Sequence, residues 1–73
     1  MNIKQFLGMY VVDNNANVIG KVSDFEFDEE FGNITHLIIS QKSGLLSQSE
    51  LVVSLEDVES IGDYILLNMI CPE

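Results

Sequence analysis

Val18-Ile19-Gly20-Lys21-Val22-Ser23-Asp24-Phe25-Glu26-Phe27-Asp28 is the stretch that decides the fold. Its apolar residues are β-branched or aromatic and sit among polar ones, the pattern of a strand half buried against a core. A single strand parity does not account for all of them. Ile19, Phe25 and Phe27 fall on one face, whereas Val18 and Val22 fall on the other. A shift of register near Gly20 resolves the conflict. Glycine inside a strand marks a bulge or a sharp bend, and a strand that turns the corner of a small barrel needs one. Gly20-Lys21 is read as that corner.

Upstream, Met9-Tyr10-Val11-Val12 is a shorter apolar run that ends at Asp13-Asn14-Asn15-Ala16-Asn17, where Asx residues tolerate left-handed backbone and close a hairpin. Downstream, Glu29-Glu30-Phe31-Gly32-Asn33 supplies a turn, and residues 34–40 are apolar almost throughout, as a central strand is. Residues 41–49 form the longest polar segment, with Leu45 and Leu46 at its tip. Leu51-Val52-Val53 reads as a fourth strand. It leads to Ser54, which caps a short helical turn, with Asp57 at the third position approximating a capping box. Val58 and Ile61, three residues apart, are expected to press that turn onto the barrel. After Gly62-Asp63, residues 64–70 form the last strand, and Pro72 ends it. Helical periodicity is otherwise nearly absent. The expectation is one all-β domain over residues 1–73, a small, partly open barrel with one short helical turn.

A chain of 73 residues holds one small core, and a domain of this size buries only about 60% of its unfolded surface. The 47% of hydrophobic residues is enough for that core. Twelve acidic residues against Lys4, Lys21 and Lys42 give a net charge of −9. Such a surface repels phosphate backbones and anionic headgroups, so direct nucleic-acid binding and membrane insertion are not expected. The single Cys71 forms no internal disulfide, and neither a signal-peptide core nor a stretch of about 20 apolar residues is present. A cytoplasmic location is the expectation.

Constellations that resemble chemistry are weak. Asp13-x-Asn15-x-Asn17 begins like a calcium loop and Asp24 falls at its twelfth position. Val18 nevertheless stands where the loop needs glycine, and the flanks read as strands. An Asx turn is the simpler reading, and no metal or other cofactor is expected. His36 is the only histidine, in an apolar strand. A nucleophile pair with Cys71 would need an orienting group and a cleft that nothing in the sequence suggests. Asp28, Glu29 and Glu30 share a turn and read as solvated. No glycine-rich phosphate loop occurs. Leu45, Leu46 and Phe31 are the candidates for partner contact, because apolar side chains at loop tips are costly to leave wet. Folding of the two leucines over an open barrel end is the competing reading.

Taken in order, Tyr10-Val11-Val12-Asp13 leading to Asn17, then Ile19-Gly20-Lys21-Val22-Ser23-Asp24, then Val53-Ser54-Leu55-Glu56-Asp57-Val58, then Ile61-Gly62-Asp63 before a closing apolar strand resemble the PRC-barrel family. The structural positions of that resemblance are Ile19, Gly20, Val22, Asp24, Ser54, Asp57, Ile61 and Gly62. Ser54 stands where the family often has proline. The resemblance implies a barrel of about six strands with no catalytic residues of its own. Relatives include a docking domain of a ribosome-maturation factor, the cytoplasmic part of a photosynthetic reaction-centre subunit, and small free-standing archaeal members tied to cell-division assemblies. The sequence lacks the RNA-binding domain of the first and the membrane span of the second. An adaptor that docks a protein partner is therefore the leading expectation, and open strand edges also allow a homodimer. The alternative is a small-molecule-binding barrel or minor enzyme, with a pocket lined by His36, Tyr10 or Tyr64.

Overall fold

The computed structural model describes residues 1–42 and 48–69. Six strands form one sheet in the order β4-β3-β2-β1-β6-β5, preceded by a helical turn. Their ranges are α1 (Ile3–Phe6), β1 (Tyr10–Val12), β2 (Val18–Asp28), β3 (Asn33–Lys42), β4 (Gln48–Ser54), β5 (Val58–Ile61) and β6 (Ile65–Leu67). All neighbours are antiparallel except β1 and β6, which run parallel. The sheet curls without closing: within the described residues β4 and β5 are its two edges. A 3₁₀ turn, Leu55–Asp57, crosses between them and packs against β3.

The concave face holds the core. Val11, Leu37, Ile39, Ile65 and Leu67 are wholly buried, and Phe6, Val22 and Val53 nearly so. Each partly covered strand contributes alternate residues, as the pleat requires. At about 1.5–3 kcal/mol per fully buried aliphatic or aromatic side chain, these eight supply the main drive for folding.

β2 joins the two halves of the sheet. Its first residues pair with β1, and from Lys21 onward it pairs with β3. At the handover a Cβ on Gly20 would fall on the Ser40 carbonyl oxygen, with Ile39 Cγ2 only 3.0 Å away, so glycine is required there by close approach. The corner expected at Gly20-Lys21 is present. The register shifts lie beside it. Ile19 is the extra residue opposite Val11 and Val12, and Ser23 is a second, unanticipated one opposite Ile38 and Ile39. Ser23 Oγ fills the gap in the ladder by donating to the Ile38 carbonyl at 3.1 Å. Together these irregularities let Ile19, Val22 and Phe25, spaced by threes, all turn toward the core. A third shift at Thr35 on β3 is bridged in the same way, its hydroxyl donating to the Glu26 carbonyl at 3.3 Å.

The β1–β2 loop is an Asx turn, as its composition suggests. Asp13 is buried, and its Oδ1 accepts from the backbone N–H of Asn15 and of Asn17, both at 2.9 Å. The left-handed residue is Ala16, with φ of 63°, and not one of the asparagines.

Three sequence expectations need correction. Residues 58–61 do not extend a helical turn but form the edge strand β5. The β-branched Val58 and Ile61 face an open ladder on β6, and pairing there satisfies the backbone that a lone helical turn would leave bare. The last strand is shorter than residues 64–70: it begins at Ile65, and Tyr64 sits in the preceding bend, where the Gly62 N–H donates to its carbonyl at 3.1 Å. The near absence of helix overlooked α1. Its N-terminus is closed by a reciprocal capping box in which Gln5 N–H donates to Asn2 Oδ1 and Asn2 N–H donates to Gln5 Oε1, each at 2.9 Å. At the 3₁₀ turn Ser54 does cap, but its hydroxyl accepts from Glu56 N–H at 3.3 Å, one residue earlier than a box with Asp57 requires.

Candidate docking groove

The short α1 places apolar residues where the curled sheet stays open. Phe6 enters the core and meets Phe25 edge-on, with centroids 5.8 Å apart and rings at 74°. Phe27 continues this aromatic row, 6.4 Å from Phe25, but is 60% exposed. Between α1, the β2–β3 pair and the edge strand β5 lies a shallow apolar groove of about 250 Å³, lined by Met1, Ile3, Phe6, Phe25, Ile34 and Ile61 together with Asn2. Ile3 and Ile61 remain exposed along it, Ile61 at 44%. Ile61, a motif position in the sequence, lines the groove wall. Met1 and Ile3 were missed, although the Asn2-x-x-Gln5 capping pattern announces the helix that presents them.

A second, open hollow of about 500 Å³ adjoins it through Ile34 and is lined by Thr35, His36, Ser54, Leu55 and Glu56. His36 Nδ1 lies 3.0 Å from Thr35 Oγ1 and 3.5 Å from Glu26 Oε1, its cross-strand neighbour. Both partners of this pair are well exposed, so its contribution to stability is small. Tyr10 and Tyr64 line neither hollow. Tyr10 lies under the Lys21 ammonium, 4.9 Å from its ring centroid, and Tyr64 is half exposed in the β5–β6 bend.

Of the partner-contact candidates, Phe31 stands in the β2–β3 turn and is 72% exposed. Leu45 and Leu46 lie outside the described residues, as does Cys71. Ile19 packs against the core and Val22 belongs to it. Asp24 Oδ1 accepts from the next residue's N–H at 2.8 Å, and the Asp57 carbonyl accepts from Asn68 N–H at 2.9 Å, tying the 3₁₀ turn to the end of β6. Among the described residues no three His, Cys, Asp or Glu side chains converge on one point, and the Asp13 carboxylate is engaged by its own loop. No helix among them is long and apolar enough to cross a membrane.

An open six-stranded sheet whose mouth is bridged by a 3₁₀ turn agrees with the family that the sequence resembles, and the model of that family, PRC-barrel domain, matches residues 1–70. The chain belongs to the PRC-barrel family. No curated protein matches it. A PRC-barrel domain is consistent with a small adaptor-type module. Its motif positions hold the frame: Gly20 sits at the corner, Val22 in the core and Ser54 at the cap.

Proposed function

We propose that this PRC-barrel domain is a non-catalytic docking module that binds another protein along its open side. The observation that supports this reading is the apolar groove beside β5. It sets Met1, Ile3, Phe25, Ile34 and Ile61 in one wall-and-floor arrangement next to a strand edge whose outer N–H and C=O groups have no partner strand among the described residues. Contiguous exposed apolar surface and a free edge together are the two features that strand addition uses, backbone hydrogen bonds for affinity and alternate side chains for selectivity. Phe31, exposed in the β2–β3 turn, and Leu45 and Leu46 remain candidates on sequence grounds. A cell-division assembly or a ribosome- or RNA-processing assembly is the setting that the family resemblance suggests.

The test is affinity capture from a lysate of the source with three baits: the wild-type domain, Leu45→Ser/Leu46→Ser, and Phe27→Ser/Ile61→Ser. A defined protein held by the wild type and lost with one double variant supports docking and assigns the site, and its identity separates the two settings. Capture of the same proteins by all three baits contradicts it.

A second reading has its own observation, the hollow beside His36. A small molecule bound there would stabilise the fold with the logarithm of ligand concentration over Kd, by about 2.7 kcal/mol at a hundredfold excess, and so raise the melting temperature. Melting in the presence of metabolite mixtures is expected to show no such rise, and a rise abolished by His36→Ala would favour this reading instead.

A further inference from the structure

We infer that the groove beside β5 takes a basic segment of the partner, an apolar stretch flanked by Lys or Arg. This inference rests on the docking reading and names what docks. The lining is apolar, and its two banks are acidic. β2 and β5 run in the same direction, since β1 is antiparallel to β2, β6 is parallel to β1, and β5 is antiparallel to β6. The turns that follow β2 and β5 thus leave the sheet toward the same end. The first carries Asp28, Glu29 and Glu30 directly after Phe27, and the second carries Asp63 two residues after Ile61, with Glu59 two residues before it. Glu29, Glu30, Glu59 and Asp63 are all exposed.

The counter-charge is sparse. Of the three lysines, Lys21 lies over the Tyr10 ring, Lys42 ends β3, and Lys4 on α1 is the one beside the groove-lining Ile3. Exposed carboxylates raise the local concentration of a cationic segment and repel an anionic one, over a range set by the Debye length, about 8 Å at physiological salt. They also disfavour a second copy of the same chain, which brings a further −9 to the face. The apolar floor supplies affinity and the acidic banks supply selectivity and rate of encounter.

The experiment is a titration of the isotopically labelled full chain with three short synthetic peptides that share one Leu/Val core and differ in flanks of Lys, Gln or Glu, followed by amide chemical shifts. The expected result is movement of the Ile3, Phe25, Ile34 and Ile61 amides with the Lys-flanked peptide, weaker effects with Gln and none with Glu. The Lys-flanked peptide should lose affinity at higher salt, and roughly tenfold on Glu29→Lys/Glu30→Lys, two exposed pairs being reversed. Equal binding of the Lys and Gln peptides in the groove would overturn the charge inference and leave the docking reading standing. Shifts confined to other surfaces, preference for the Glu flanks, or no groove shifts with any peptide would overturn the inference as well. The docking reading itself would fall only if the capture experiment returned the same proteins with all three baits.

Discussion

β3 and β5 are both strands of one sheet, yet they do opposite work. β3 is ten residues long, pairs on both sides, and buries Leu37 and Ile39 completely. β5 is four residues long, pairs only with β6 among the described residues, and leaves Ile61 nearly half exposed beside α1. The difference is one of neighbours rather than of composition, since both strands are rich in β-branched residues. Where two strands and a core face cover an isoleucine it stabilises the fold, and where an edge leaves it uncovered it becomes surface available to a partner. Buried core residues are thus spread over β1, β2, β3, β4 and β6, whereas the seam between α1 and β5 leaves apolar side chains uncovered.

The largest expected effect is on the β3 side. Leu37→Ala should cost about 2–5 kcal/mol, through lost burial and the cavity left behind, as read by urea unfolding at unchanged m-value. In a domain this small that approaches the whole of its stability. If Leu37→Ala cost no more than Ile61→Ala, the contrast between the strands would fail. Gly20→Ala should come next, at ~1–3 kcal/mol. The added Cβ meets backbone, not a side chain that can swing away, and β2 and β3 must part to admit it.

The β1–β2 loop sharpens the comparison at a smaller scale. Asp13→Ala should destabilise by about 1–3 kcal/mol, since two backbone N–H groups of the loop lose their acceptor. Ala16→Gly should act with the opposite sign. A left-handed alanine costs roughly 1–2 kcal/mol that glycine does not, although the greater freedom of glycine in the unfolded chain returns part of it. A melting temperature a few degrees higher is expected. A fall would mean that the strain at φ 63° is offset by a contact of the Ala16 methyl.

Much of this architecture was legible in the residues. The parity conflict within residues 18–28 located the corner at Gly20, and the Asx-rich stretch after Val12 located a hairpin, because glycine and Asx residues report on backbone geometry directly. The second bulge at Ser23 was not legible. The parity conflict between Val22 and Phe25 shows that a shift is needed but does not single out Ser23, whose role appears only when its hydroxyl is seen bridging to the Ile38 carbonyl. β5 was misread because Val58 and Ile61, three apart after a capped turn, match helical spacing as well as they match a short bulged strand with a shift between Val58 and Ser60. The groove escaped for a different reason. Its walls come from α1, β2, β3 and β5, residues scattered from Met1 to Ile61, and no local pattern reports that an open seam will bring them together. What local reasoning did find, Phe31 as an exposed aromatic, is the kind of feature a single turn can reveal.

Hydrogen exchange, measured on the domain alone and again on the captured complex, tests most directly whether the seam is the working face. In the free domain the amides of Leu37 and Ile39 should exchange only through global unfolding, and those of α1 and β5 far faster through local opening. In the complex, α1 and β5 should gain protection, with the rates in β3 following only the overall gain in stability. New protection confined to β4 or to the Tyr10 and Lys21 surface, with α1 and β5 unchanged, would contradict it.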